Sequence, residues 1–368
     1  MRCRLLAPLL LLALATCRSA APRAPADAAT KEGAGVTATG GDWVLVVHGG
    51  AGRRLDPALE PQVRAGLESA LRQGAGLLAS GGSSLDAVEL VVATLEDDPL
   101  FNAGRGAVYT RAGTHELDAA IVDGGTRAAG AVAALRTVKN PIRLARLVME
   151  RSPHVLLVGE GAEAFATAMG VERVENSWFD TPRRRRQLDE ELAKERQQGA
   201  ALAPGGSPAT AAQEASPFTS SSPAAGWIGS TLGTVGAVAR DRDGHLAAAT
   251  STGGTTAKLP GRVGDAPLVV AGTWADDATC AISATGKGEQ FIRHAAAARV
   301  AMLMSYGGRT LEQAAREVVE GGLSPGDGGL IAVGRDGSVA MPFNTESMAR
   351  GVADARGRLE VATAPPKL

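Results

Sequence analysis

Apolar and polar positions follow two rhythms along this chain. Trp43 to Val47 is a short β-rich apolar run that ends in glycines, which predicts a buried strand. Helices are predicted at roughly 61–80 and 84–97. The second carries Leu85, Val88, Val91, Val92 and Leu95 at helical spacing, with Ser83 and Asp86 placed as a helix-start pair. Strands are expected at Leu117 to Val122, Gly130 to Val138 and His154 to Val158. Pro141 opens a helix to about Glu150, and Glu160 to Met169 forms another. Further on, strands are predicted near 234–240, 246–251, 268–273 and 278–284, then helices at about 288–305 and 310–320. A final strand pair lies near 329–334 and 337–342. Asp243-Gly244 and Asp336-Gly337 are hairpin turn signals. Strands grouped together with helices grouped between them predict an α+β fold of stacked sheets faced by helices.

One stretch breaks the pattern. Arg183-Arg184-Arg185-Arg186 leads a charged, helix-like run to Gln198, read as a solvated helix face or, more sharply, as a contact for a polyanion or lipid headgroup. Residues 199–230 then collect Ala, Pro, Gly, Ser and Thr with little bulk. They cannot bury enough apolar area to offset their ordering entropy. Residues 177–233 are therefore expected to be a linker, first charged and then disordered.

Composition narrows the partners. The formal net charge of −1 gives no reason to expect a nucleic-acid partner. Arg2 and Arg4 precede an apolar run from Leu5 to Ala15 that is too short to span a bilayer, as in an export signal over residues 1–20. Leu14-Ala15-Thr16-Cys17 approximates a lipoprotein cleavage box with Cys17 as the acylated residue, and plain cleavage near Ala20 or Ala21 is the alternative. The expected address is the bacterial periplasm or a lipid anchor on the cell envelope, with residues 21–42 as a flexible tether. Cys280 is then alone in the mature domain, which excludes an internal disulfide framework. Its small apolar neighbours mark it as a core residue rather than a thiol catalyst.

The candidate chemistry centres on Thr234. In Gly233-Thr234-Val235-Gly236-Ala237-Val238-Ala239 a hydroxyl residue opens a core strand directly after the linker. If the Gly233–Thr234 bond is cut, one residue offers both a hydroxyl and a free α-amine, and the amine can activate its own Oγ. The alternative is a buried strand threonine.

The surrounding motifs decide between the two readings. Val46-Val47-His48-Gly49-Gly50-Ala51-Gly52, Asp98-Pro99-Leu100-Phe101-Asn102-Ala103-Gly104 and the segment from Thr234 to Arg293 occur in order. Together they resemble the plant-type asparaginase/isoaspartyl peptidase family of N-terminal nucleophile hydrolases, over roughly Trp43 to Gly351. The resemblance implies a four-layer αββα sandwich and cleavage into an α-subunit (43–233) and a β-subunit (234–368) that share one catalytic domain. It also implies pairing of two αβ units into a heterotetramer.

Residue by residue, the resemblance makes Thr234 the nucleophile, Thr252 its orienting neighbour, and Thr285 with Gly286 the oxyanion site. It places Gly233, Thr234 and Asn102 at the self-cleavage step. An Asx-turn is the competing role for Asn102, and His48 is expected to be structural. Gly261-Arg262-Val263-Gly264-Asp265 supplies a guanidinium fork for a substrate carboxylate and an acid for its ammonium, beside Thr285, Gly286 and Gly288. No cofactor is needed for this chemistry. The family loop that wraps a sodium ion corresponds to the backbone carbonyls of Leu95, Glu96, Asp98, Phe101, Ala103 and Arg105. The expected reaction is hydrolysis of β-aspartyl dipeptides and L-asparagine. A glycosylasparaginase-like amidase and a non-catalytic exported amino-acid-binding protein are the alternatives.

Overall fold

A computed structural model describes residues 42–202 and 233–364. The expected signal, tether and Cys17, and most of the small-residue stretch before Gly233, lie outside the described residues.

Two antiparallel-rich sheets stack face to face. The larger has eight strands in the order β12-β11-β1-β5-β6-β2-β3-β4. Its members are β1 (Val44–Gly52), β2 (Leu117–Asp123), β3 (Ala129–Leu135), β4 (Leu156–Val158), β5 (Val235–Arg240), β6 (Leu246–Thr252), β11 (Ser347–Asp354) and β12 (Leu359–Ala362). The smaller runs β10-β9-β8-β7, from β7 (Thr273–Ala275), β8 (Cys280–Gly286), β9 (Gly328–Gly334) and β10 (Val339–Ala340).

Strand periodicity builds the layers. In β1, Val44 and Val46 point into the core between the sheets, with Val238, Leu246, Ile331 and Val333. Leu45 and Val47 point the other way, into a core shared with α1 (Glu60–Ala79), α2 (Ser84–Asp97) and α3 (Pro141–Arg151). On the opposite side, Ile282 and Ala284 of β8 pack against α7 (Ala296–Ser305) and α8 (Leu311–Gly321). The result is the helix, sheet, sheet, helix sandwich that the family resemblance implied.

Local signals account for several boundaries. The Ser83 hydroxyl accepts the Asp86 N–H at 3.1 Å and caps α2. Thr310 and Gln313 form a full capping box at the start of α8. Gly244 and Gly337 take positive φ in the turns joining β5 to β6 and β9 to β10. α4 (Gly159–Ala168) follows β4 directly.

Other expectations are corrected. β1 continues past Val47 through the glycines to Gly52, with a bulge between His48 and Gly50. β3 stops at Leu135 rather than at Val138. The strand expected at 268–273 is a tight turn, with Leu268 N donating to Asp265 O and Ala271 N to Leu268 O; β7 begins only at Thr273. The single helix expected at 288–305 is two, α6 (Gly288–His294) and α7, broken at Ala295 in a left-handed conformation. The break lets the first amides of α7 reach across the fold: Ala297 N donates to Ala271 O and Ala298 N to Val270 O. β11 and β12 lie beyond the pair expected to end the fold.

The linker expectation also shifts. Phe179 is fully buried, and α5 (Pro182–Leu202) packs Leu188 against Tyr109 and Ala257. Arg184, expected on a solvated face, is fully buried. Its Nε donates to the Gly106 carbonyl at 2.6 Å, while Arg183 donates to the Leu100 carbonyl. The first two arginines of the run grip the loop that follows α2.

Candidate active site

Thr234 stands immediately before β5, in the middle of the large sheet, and is 7% exposed. Its hydroxyl donates to Thr252 Oγ1 at 3.1 Å, at the end of the neighbouring strand β6. Thr252 Oγ1 also accepts the Gly254 N–H at 3.0 Å. Asn102 completes this corner: its Nδ2 donates to Gly254 O at 2.7 Å and its Oδ1 accepts Val108 N–H at 2.9 Å. Asn102 is therefore a fully buried brace between the loop after α2 and the Gly253-Gly254 turn, linked to Thr234 through Gly254 and Thr252 by three hydrogen bonds. The local Asx-turn considered for it is not what its carboxamide makes.

The residue before Thr234 is closely packed. A Cβ on Gly50, which has φ of 111°, would run into the backbone nitrogen of Gly233. Only glycine fits there, both for space and for backbone conformation. On the other side, a Cβ on Gly233 would lie 3.1 Å from Thr285 Oγ1, so that hydroxyl rests against the residue whose carbonyl precedes Thr234. Thr285 Oγ1 itself accepts Ala51 N–H at 3.2 Å. Gly286 is pressed against the backbone of Asp327 and Gly328, with no room for a side chain. Thr234, Thr252, Thr285 and Gly233 thus come together as expected, and Gly50 and Ala51 join them.

Arg262 lies beside the Gly254 turn, and Gly288 packs against both Arg262 and Asp265. A Cβ there would sit 2.8 Å from Asp265 Oδ1 and 2.9 Å from Arg262 Nη2. Arg262 is not an open fork: Nε and Nη2 donate to the two carboxylate oxygens of Glu289 at 2.9 and 3.0 Å. Its Nη1 faces Gly254 and Gly264. Asp265 is buried, and burial raises its carboxyl to about 7 against the pull of Arg262. Its Oδ2 has no hydrogen-bond partner. A buried carboxyl with one unsatisfied oxygen beside a guanidinium offers an acceptor and a donor side by side.

His48 is no base. It is fully buried, burial lowers it to about 3, and its Nε2 lies 2.9 Å from Ser283 Oγ. Ser283 continues to Thr250 at 2.7 Å and Thr250 to Thr273 at 2.6 Å, a polar seam between the sheets. Cys280 is a buried core thiol, pushed by desolvation to about 12. Lys287 pairs with Asp327 at 2.9 Å.

The segment from Leu95 to Arg105, the end of α2 and the loop after it, turns tightly around Gly104, whose Cβ would run into the Glu96 carbonyl oxygen. Of the carbonyls expected to bind an alkali ion, Asp98 O accepts Phe101 N at 3.2 Å and Ala103 O accepts Gly106 N at 3.1 Å. Each of these two carbonyls keeps a second lone pair. No cluster of His, Cys, Asp or Glu suited to a metal occurs among the described residues.

Sequence reasoning missed Glu289, Gly50 and the buried pair of Glu96 and Ser251, whose oxygens meet at 2.6 Å. Glu289 adjoins Gly288, but nothing in its spacing reveals that it would fold back onto Arg262.

The chain is similar to known proteins over most of its length. A family profile described as asparaginase matches residues 41–363. A protein named isoaspartyl peptidase from Escherichia coli (strain K12) is 49% identical over 316 residues, covering 84% of this chain and 92% of the relative. Its namesake from Salmonella typhimurium is 50% identical, covering 83% and 94%. A Bos taurus protein named isoaspartyl peptidase/L-asparaginase is 40% identical, covering 83% and 91%. With its two stacked sheets, a buried threonine heading β5 and these matches across most of its length, the chain belongs to the plant-type asparaginase/isoaspartyl peptidase family and has the N-terminal nucleophile hydrolase fold.

Proposed function

We propose that this protein is a self-cleaving amidohydrolase that hydrolyses β-aspartyl dipeptides and L-asparagine through Thr234. One observation carries the reading: the Thr234 hydroxyl is buried, bonded to Thr252, and set between a strand and a glycine held by Gly50 and Thr285. The names of the relatives support the substrate class.

In the continuous chain the nitrogen of Thr234 is an amide and cannot serve as a base. Self-cleavage begins when Oγ attacks the Gly233 carbonyl carbon. The C–N bond breaks, the nitrogen gains a proton, and an ester links Gly233 to the threonine oxygen. Water then hydrolyses that ester, leaving a carboxylate on Gly233 and a free amine on Thr234. In turnover this amine, with a reference pKa of about 7.7–8.0, takes the Oγ proton as the oxygen attacks the side-chain carbonyl of the substrate. The Thr285 hydroxyl and Gly286 N–H face the developing oxyanion. Ammonia or an amino acid departs, and water releases aspartate from the acyl-enzyme. Arg262 holds the substrate carboxylate through its Nη1 side and Asp265 its ammonium.

The loop carbonyls of Leu95, Glu96, Asp98, Phe101, Ala103 and Arg105 would hold a sodium ion. It would supply charge to align their dipoles and takes no part in bond making. We also infer that two αβ units pair, and that the basic-then-apolar start with Cys17 directs export or lipid anchoring. Intact-mass analysis of purified protein, combined with an assay on a β-aspartyl dipeptide, tests the proposal. Two fragments with Thr234 at a new terminus and hydrolytic activity are expected. An intact chain that binds but does not hydrolyse would favour the binding-protein reading.

A further inference from the structure

Beside the substrate pocket lies a charged group that the chemistry above does not use. Lys258 is fully buried, and its Nζ donates to Glu116 O at 2.8 Å. The same ammonium stands 4.0 Å from Asp118 Oδ2, an oxygen of a fully buried carboxylate with no hydrogen-bond partner. The head of Lys258 reaches the underside of the turn that carries the site. A Cβ on Gly254 would lie 3.1 Å from Lys258 Nζ and 3.2 Å from Arg262 Nη1, so two cationic groups flank one glycine. That glycine donates its N–H to Thr252, and its carbonyl accepts from Asn102 Nδ2. The backbone around Lys258 is stitched to the segment before β2. Ala257 N donates to Tyr109 O, Arg111 N to Lys258 O, and Gly261 N to Glu116 Oε2 at 2.8 Å.

A lysine without access to water is costly unless a partner is present. What the ammonium adds is field. Glu289 offsets much of the Arg262 charge through two hydrogen bonds, so Arg262 alone is a weakened anion receptor. Lys258 adds positive charge on the Nη1 side, and it is less fully offset than Arg262, because the Asp118 oxygen 4.0 Å away makes no hydrogen bond to it while Glu289 makes two to the guanidinium.

We propose that Lys258, backed by Asp118, is a positioning residue that sets the affinity of the Nη1 side of Arg262 for the α-carboxylate of the substrate. The inference rests on the reading of Arg262 as carboxylate anchor. Removing only one member of a buried pair strands the other, so the informative variant is the double one, Lys258→Met with Asp118→Asn.

Wild type and double variant are compared for self-cleavage on a denaturing gel and for steady-state hydrolysis of a β-aspartyl dipeptide. An analogue with an amidated aspartyl α-carboxylate serves as the neutral control. Maturation should be retained, with KM for the dipeptide raised about fivefold or more, kcat within about threefold, and KM for the neutral analogue unchanged. An unchanged KM for the dipeptide, an equal rise for both substrates, a loss confined to kcat, or failure to mature would each overturn the proposal. If wild type itself neither cleaves nor hydrolyses, the reading of Thr234 fails instead, and equilibrium binding of L-aspartate to the two proteins still decides the role of Lys258. Equal affinities there would likewise overturn it.

Discussion

Arg184 reaches from α5 to the carbonyl of Gly106, across 78 residues of sequence, and closes a 2.6 Å hydrogen bond with no exposure to solvent. A charge-assisted bond to a buried carbonyl is worth about 1.5–3 kcal/mol. Arg184→Met leaves that carbonyl without its donor and should lower the urea midpoint, by less than the full bond because the burial of the guanidinium is relieved as well. Turnover should fall as well, because the gripped loop includes Asn102 and through it the Gly254 turn. Equilibrium unfolding of the matured variant checks the first effect and kcat the second.

The Thr234–Thr252 contact predicts a graded series. Thr234→Ala should abolish both self-cleavage and hydrolysis. Thr252→Val keeps the shape but removes the acceptor for Thr234 Oγ and Gly254 N–H, and should slow both reactions by about 10²-fold. Thr252→Ser should recover most of the rate. Fragment formation on a gel over time, alongside kcat, separates the two steps.

Asp265 gives a pH signature. Its carboxyl is raised to about 7, first by burial, so below that pH the free site holds a neutral acid and above it a carboxylate. Only the carboxylate attracts the substrate ammonium, so KM should fall as pH rises through about 7. Asp265→Asn should raise KM and flatten that limb of the profile.

Glu96 gives a stability signature of the same direction of shift. Burial raises it from 4.5 to about 8, against the hydrogen bonds from Ser251 and Ile142. Below pH 4.5 both folded and unfolded forms carry the proton. From there to about pH 8 only the unfolded form ionises, so this group costs up to about 1.4 kcal/mol of stability per pH unit across that window. Glu96→Gln should make the unfolding midpoint less sensitive to pH, with its largest relative gain at pH 8. Chemical denaturation at pH 5 and pH 8 measures it.

These side chains show where reading the sequence reaches its limit. Local chemistry was legible: the Ser83 cap, the Asp-Gly turns and the hydroxyl heading β5 each depend on neighbours within a few positions. The four arginines looked solvated because charge normally seeks water. Nothing near them reveals that loop carbonyls some 80 positions earlier would receive two of them. The helix break at Ala295 was hidden for the same reason, since the carbonyls that take the α7 amides belong to a separate turn. β11 escaped because Ala349, Gly351 and Ala353 are too small to announce a strand, although the strand is buried almost throughout. Glu289 and Lys258 became meaningful only once folding set them around Arg262 and Gly254.

The position of β5 has one further consequence. It is hydrogen-bonded to β1 on one side and to β6 on the other, and β1 in turn pairs with β11. A break after Gly233 therefore leaves two polypeptides laced through a common sheet, each supplying ribbons that the other needs on both flanks. Neither piece can leave without tearing that sheet apart. Scission should thus be a one-way maturation event, and halves expressed separately would have to assemble as they fold.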